Sequence, residues 1–246
     1  MSKLPNAPLQ EVIFEIRWPL QPDSTGKFLT DPEFPFVLGK FDALMKDKFP
    51  YRLKKHSIPL PSSLFNYQTL YQFWEAGQTW PVVQIGPGIA TVNDTDKKYD
   101  WEKNFLPNIH FTLQALEKSY GSIDYSNVSL RYIDVVRVAD YGFKDWQSFV
   151  HNNINFSFEN HFDTPCELRE FNFQQSFETN NTGRITVTFS TGKNKRNEDT
   201  FVWQTNIAHS EHLNREKVLS WLKLAHIEVS NLFKKICKDH FYASFK

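Results

Sequence analysis

The order of residues predicts an α+β fold, a mostly antiparallel sheet with helices packed on one face. Three observations carry that expectation. Several short segments alternate apolar and polar side chains with period two, others repeat apolar residues at the helical period, and glycine, proline and asparagine clusters separate them. The order reads strand, helix, two strands, helix, then strand, short helix, three strands, helix, which is the α+β pattern. It suits a single domain over residues 1–246 whose halves, 1–121 and 122–246, read as a pseudo-repeat of a β-α-β-β-α unit.

Residues 10–18 open the chain as a half-buried strand. Val12, Phe14, Ile16 and Trp18 share one parity, and Glu11, Glu15 and Arg17 the other. Pro19 and Pro22 end it. Val37, Leu38, Phe41, Leu44, Met45 and Phe49 then fall on one face of a helix over 35–49, with Pro35 in its first turn and Pro50 at its close. Pro59 and Pro61 mark a connector. Residues 64–75 read as a strand with an aromatic parity (Phe65, Tyr67, Tyr71, Phe73) and an amide parity (Asn66, Gln68, Gln72). A second strand over 81–92 is expected to bulge or bend at Gly86-Pro87-Gly88, with a turn at Asn93-Asp94-Thr95-Asp96. Trp101, Phe105, Ile109, Leu113 and Leu116 predict a helix over 100–120, which Pro107 either kinks or truly begins and Gly121 ends.

The second half starts with a strand over 127–138 and a short helix around Trp146, Phe149 and Val150. A loop rich in asparagine leads to strands over 166–178, 184–191 and 200–208. Asn180-Asn181-Thr182-Gly183 forms one hairpin turn, and the charged stretch from Lys193 to Asp199 the next. Val218, Trp221, Leu222, Ala225, Val229, Leu232, Phe233 and Ile236 place a helix over 214–237, with Asn214 as its N-cap. Aligning Arg17 with Arg131 sets Phe14 over Val128, Ile16 over Leu130 and Trp18 over Tyr132. An echo this short also arises by chance, so duplication and coincidence both stay open.

Composition bounds the function. The chain is 40% apolar and 16% aromatic with 23 Phe, which describes an aromatic-rich globular core. Lys and Arg number 28 against 28 Asp and Glu, so the basic excess that displaces counterions from nucleic acid is missing, although a local patch is not excluded. Cys166 and Cys237 lie in no zinc or redox spacing, as expected of a reduced, cytoplasmic protein. The N-terminus has no signal-like apolar stretch and no run is long enough to span a membrane.

The segments PNAPLQEVIFEIRW, VVQIGPGIATVND, YDWEKNFLPNI, VSLRYIDVV and WLKLAHIEVSNLF occur in this order along nearly the whole chain. In them the chain resembles a sporadically distributed family of uncharacterised bacterial proteins of about this length. Asn6-Ala7-Pro8 before the Arg17 strand and Leu130-Arg131-Tyr132 are its most specific pieces. The resemblance transfers no activity, and so no catalytic residue. The family's patchy distribution implies mobile accessory genes such as toxin–antitoxin, immunity or phage-defence cassettes.

Few constellations suggest chemistry. His209, Glu211 and His212 could hold a metal with His226, but their spacing suits a polar surface turn better. Asp134 has the parity of Val128, Leu130, Tyr132 and Val136, so it points inward and needs a partner or a perturbed pKa. Gly86-Pro87-Gly88 is neither a dinucleotide nor a phosphate loop. No catalytic, metal or cofactor residue is assigned. What remains is collective: Glu15, Arg17, Asn66, Gln68, Gln72, Gln84, Arg131, Gln204 and Asn206 all take polar strand parities. A face rich in amides and arginine suits hydrogen bonding to a partner, although antiparallel sheets also leave such faces to solvent. Arg17, Arg131, Glu15, Gln68, Gln72 and Gln204 are the binding candidates. They point to a non-catalytic intracellular protein that engages a protein partner or small ligand, with homo-oligomers open. The alternatives are a hydrolase or nuclease-like effector using Asp134, Glu15, Arg131 or the His209/His212 pair, and a duplicated sheet that binds nucleic acid.

Overall fold

The alternation read in residues 10–18 becomes β1 (Leu9–Arg17), which buries Leu9, Val12, Phe14 and Ile16. It belongs to a computed structural model that describes residues 4–55, 65–95, 99–158, 161–163, 165 and 168–246. Pro59, Pro61, Asp96 and Cys166 lie outside the described residues. After β1 come β2 (Gln21–Pro22) and β3 (Leu29–Thr30), a two-stranded sheet of their own. Next are α1 (Phe34–Met45), β4 (Tyr51–Lys54), β5 (Tyr71–Ala76), β6 (Thr79–Gly86), β7 (Ile89–Asp94) and α2 (Leu106–Tyr120). The remaining elements are β8 (Asn127–Arg137), α3 (Trp146–Asn153), β9 (Asn172–Glu178), β10 (Arg184–Lys193), β11 (Asp199–His209), α4 (Arg215–Ile236) and α5 (Asp239–Ala243).

The fold is α+β, built on a mostly antiparallel nine-stranded sheet ordered β4-β5-β6-β7-β1-β8-β11-β10-β9. β7, the last strand before α2, lies beside β1, and β11, the last strand before α4, lies beside β8. Arg17 lies on β1 and Arg131 on its neighbour β8.

Two expectations are corrected. The stretch read as one strand over 81–92 is a hairpin, β6 and β7, joined by a turn at Pro87-Gly88 in which Gly88 has φ +76°. The inward parity shifts across the turn, from Val83 and Ile85 to Ala90 and Val92, and that change of phase is the trace the reversal leaves in the sequence. The strand read over 64–75 begins only at Tyr71, because residues 65–67 form a turn in which Tyr67 has φ 58°. A backbone constraint enforces this path: a Cβ on Gly86 would stand 1.8 Å from the Gln68 carbonyl oxygen, so only glycine admits it. Pro107 marks the true start of α2, after a π-helical turn over Trp101–Phe105 capped by the Asp100 side chain. Asn214 caps α4 as expected, its Oδ1 accepting from Lys217 N at 3.0 Å.

The described chain falls into two compact units. The first comprises Val12–Leu130 and Ala208–Leu222. Its apolar sheet face stacks Phe73, Val83, Val92 and Phe14 in register, with Tyr71, Ile85, Ala90 and Ile16 in the next row. Phe41 of α1 meets Phe73 edge-on at 5.4 Å, and α2 buries Ile109, Leu113 and Leu116. One carboxylate ties its loops together. Asp31 Oδ2 accepts from Trp18 Nε1 at 2.9 Å, Tyr120 Oη at 2.7 Å and Gly88 N at 3.3 Å. Its Oδ1 accepts from Phe34 N, at the start of α1, at 3.1 Å. Burial, reinforced by that nearby carboxylate, raises the Tyr120 hydroxyl far above its ordinary pKa, so Tyr120 stays a donor.

The second unit comprises Met1–Glu11, Arg131–Ile207 and Lys223–Lys246. Phe201 and Trp203 of β11 point to the same side as Tyr132 and Asp134 of β8, toward α4: Trp203 stacks on Phe233 at 5.9 Å, and the Tyr132 hydroxyl lies 2.9 Å from His226 Nδ1. Phe149, Phe201, Phe241 and Phe245 fill the core behind them.

Candidate binding face

Within the first unit the polar sheet face is an ordered row. Gln72, Gln84, Thr91 and Glu15 lie side by side on β5, β6, β7 and β1. Gln72 Nε2 donates to Gln84 Oε1 at 3.1 Å, and Gln84 Nε2 donates to Thr91 Oγ1 at 3.2 Å and Asn93 Oδ1 at 3.3 Å. Thr91 Oγ1 donates to Asn93 Oδ1 at 2.7 Å. Lys55 Nζ adds a bond to Thr69 Oγ1 at 2.8 Å and a longer one to Gln84 Oε1 at 3.4 Å. Arg17 closes the row: its Nε and a terminal nitrogen reach Glu15 Oε1 at 2.8 and 2.7 Å, and its guanidinium lies 5.4 Å from the centre of the Tyr67 ring. The Arg17 side chain is 41% exposed and that of Glu15 20%, so the pair stays in reach of solvent. Gln68 is exposed in the turn before β5, outside the row. Thr91, Asn93, Lys55 and Thr69 were not singled out from sequence, because only strand register reveals them.

Within the second unit the side of the sheet away from α4 presents Arg131, Ile133, Val135 and Arg137 from β8 and Val202, Gln204 and Asn206 from β11, all half-buried. Arg137 is engaged by Asp140 and by Glu198, at 3.2 Å from the latter. Arg131 and Gln204 differ: among the described residues neither side chain has a hydrogen-bond or ion-pair partner. Asn206 Oδ1 is buried and likewise without a hydrogen bond among the described residues. Buried or half-buried polar groups are normally satisfied, so this part of the sheet carries unused capacity. A guanidinium on one strand and two amides on the same side of its neighbour, among Ile133, Val135 and Val202, offer groups that can bind a carboxylate or phosphate and hydrogen-bond an amide or carbonyl.

The inward side of β8 carries a buried acid, and α4 and the residue after it carry two more groups shifted by burial. Asp134 is 4% exposed, and burial pushes its carboxyl up to about 8. Burial also raises the Cys237 thiol, to about 12, with the Asp134 charge adding to it, and lowers the His226 imidazole to about 4. All three groups are therefore held in their neutral forms at neutral pH. The His209 candidate stands elsewhere: its Nε2 lies 3.4 Å from Glu211 Oε2. Among the described residues no three His, Cys, Asp or Glu side chains are placed to hold a metal ion. No described helix is long and apolar enough to cross a membrane.

Comparison with protein-family models, curated proteins and solved structures finds no match to this chain.

Proposed function

We propose that the protein is a non-catalytic binding protein that engages a protein partner or small ligand through its polar sheet face, as an accessory component of a toxin–antitoxin, immunity or phage-defence cassette. The observation that supports the reading is that Arg131, Gln204 and Asn206, on one side of the adjacent strands β8 and β11, have hydrogen-bonding capacity that no described residue uses. An arginine left in this state suits a partner that brings an anionic group, a carboxylate or phosphate, together with amide-like neighbours. Glu15, Arg17, Gln72 and Gln84 contribute a second polar row, but one that already hydrogen-bonds to itself.

The test is affinity capture from the native host with the wild type, with Arg131→Ala plus Gln204→Ala, and with Arg17→Ala. Loss of the captured species with the Arg131 pair and its retention with Arg17→Ala is the expected pattern. Undiminished capture by the Arg131 pair removes the role given to that face.

A further inference from the structure

The nine-stranded sheet ends in two edges of opposite character. β4, at one end, has four residues, two of them basic: Arg52 and Lys54. Arg52 pairs with Asp42 at 3.0 Å. A short, charged edge is a usual protection against strand addition. β9, at the other end, has seven residues, NFQQSFE, with no lysine, arginine or proline. It pairs with β10 without a bulge from Asn172 to Glu178. Phe177 stands 48% exposed on it. Nothing among the described residues hydrogen-bonds to the backbone of its outer side.

The hydrogen-bond phase of this edge follows from its neighbour. Thr191 N donates to Phe171 O at 2.9 Å, just before the strand. In an antiparallel ladder the residues bonded to one neighbour recur every second position. Phe173, Gln175 and Phe177 therefore direct their backbone groups to β10, and Asn172, Gln174, Ser176 and Glu178 direct theirs outward. The strand is also nearly palindromic about Gln175: Phe173 mirrors Phe177, Gln174 mirrors Ser176, and Asn172 mirrors Glu178.

We propose that β9 pairs antiparallel with β9 of a second copy of this chain, with Gln175 on the two-fold axis, extending the sheet through a homodimer. This register sets outward-facing residues against outward-facing residues, Gln174 opposite Ser176 and Asn172 opposite Glu178, so that each such pair exchanges two backbone hydrogen bonds. It sets Phe173 of each copy across from Phe177 of the other, covering the exposed ring with an aromatic pair on each side of the axis. Glu178, the strand's one charge, meets an amide. The contact is isologous and closes at two copies, as a two-fold interface must.

Sedimentation and light scattering on the full chain provide the test, with the expected species at twice the chain mass. Gln174→Lys with Ser176→Lys puts like charges directly opposite one another and is expected to give monomer. Gln174→Glu with Ser176→Glu does the same, and an equimolar mixture of the two variants returns to dimer mass. Gln175→Cys reads the register directly: under mild oxidation it cross-links across the axis, while Ser176→Cys, which faces Gln174, does not. Both positions are exposed, and an unchanged circular dichroism spectrum verifies folding. If the lysine variant does not fold, the two cysteine variants carry the test alone. A monomeric wild type, a dimer indifferent to the lysines, or equal cross-linking by both cysteines overturns the proposal.

Discussion

The polar faces of the two halves use the same vocabulary, arginine and side-chain amides on the first strand of the half and its neighbours, to different ends. In the first half Gln72, Gln84, Thr91 and Asn93 bond to one another and Arg17 is held by Glu15. In the second, Arg131 and Gln204 have no described partner, and Asn206 Oδ1 is buried without a hydrogen bond among the described residues. The residue type at a strand position therefore does not decide whether a face is structural or available. The register of the neighbouring strands does, because it determines whether a complementary group stands within bonding distance.

The largest expected break in this comparison comes from glycine. Gly86→Ala drives a Cβ into the Gln68 carbonyl at 1.8 Å and should cost about 3 kcal/mol. Gly192→Ala on β10 meets only Thr200 Oγ1 at 3.6 Å and should change stability by about 0.5 kcal/mol or less. Denaturant midpoints of the two variants check the contrast; equal losses would mean that the first half tolerates the displaced turn.

A pH effect of about 2 kcal/mol follows for the second half. Unfolding lets Asp134 ionise from its ordinary 3.8 upward, whereas folded Asp134 stays neutral until about 8, so its contribution falls as pH rises between those values. His226 works in the opposite sense. Unfolded it gains a proton below 6.5, and folded it stays neutral down to about 4, so its contribution falls as pH drops through that window. From these two groups, stability is level from about 4 to 6.5 and then declines by about 1.4 kcal/mol per pH unit toward 8. Asp134→Asn should abolish the decline above 6.5 and expose the His226 decline below it, in urea melts across that range.

The amide row gives a smaller and more direct contrast. Gln84→Ala strips partners from Gln72 and from the buried Thr91 and Asn93, at a cost of about 1.5 kcal/mol. Gln204→Ala removes no described bond and should lie within about 0.5 kcal/mol of wild type, while affecting capture. A Gln204 variant as unstable as the Gln84 variant would show that the second face is also structural.

Much of this was legible in the residues. β1, β8, β10, β11, α1 and α4 follow from periodicity because each has one buried side, as Val12, Phe14 and Ile16 do on β1. β4 escaped because it is four residues long and wholly exposed, so its Tyr-Arg-Leu-Lys alternation marks no buried side. α5 is five residues long, too short for a helical period to show. The parities of Gln72, Gln84, Arg131 and Gln204 were readable one strand at a time. Their satisfaction was not, since it depends on Gln72 standing opposite Gln84 and Gln84 opposite Thr91, pairings made across turns.

The Asp31 carboxylate has a kinetic meaning. Besides the local Phe34 N, its donors lie 13, 57 and 89 residues away along the chain, just after β1, in the β6–β7 turn and at the end of α2. Closing contacts so distant in sequence costs chain entropy before it returns any energy, so the expectation is that they assemble after the local hairpin and helices, which Asp31→Asn tests by raising the unfolding rate more than it lowers the folding rate. A group joined last acts as a latch: weakening it leaves the approach to the folded state almost unchanged and shortens the time the chain remains there.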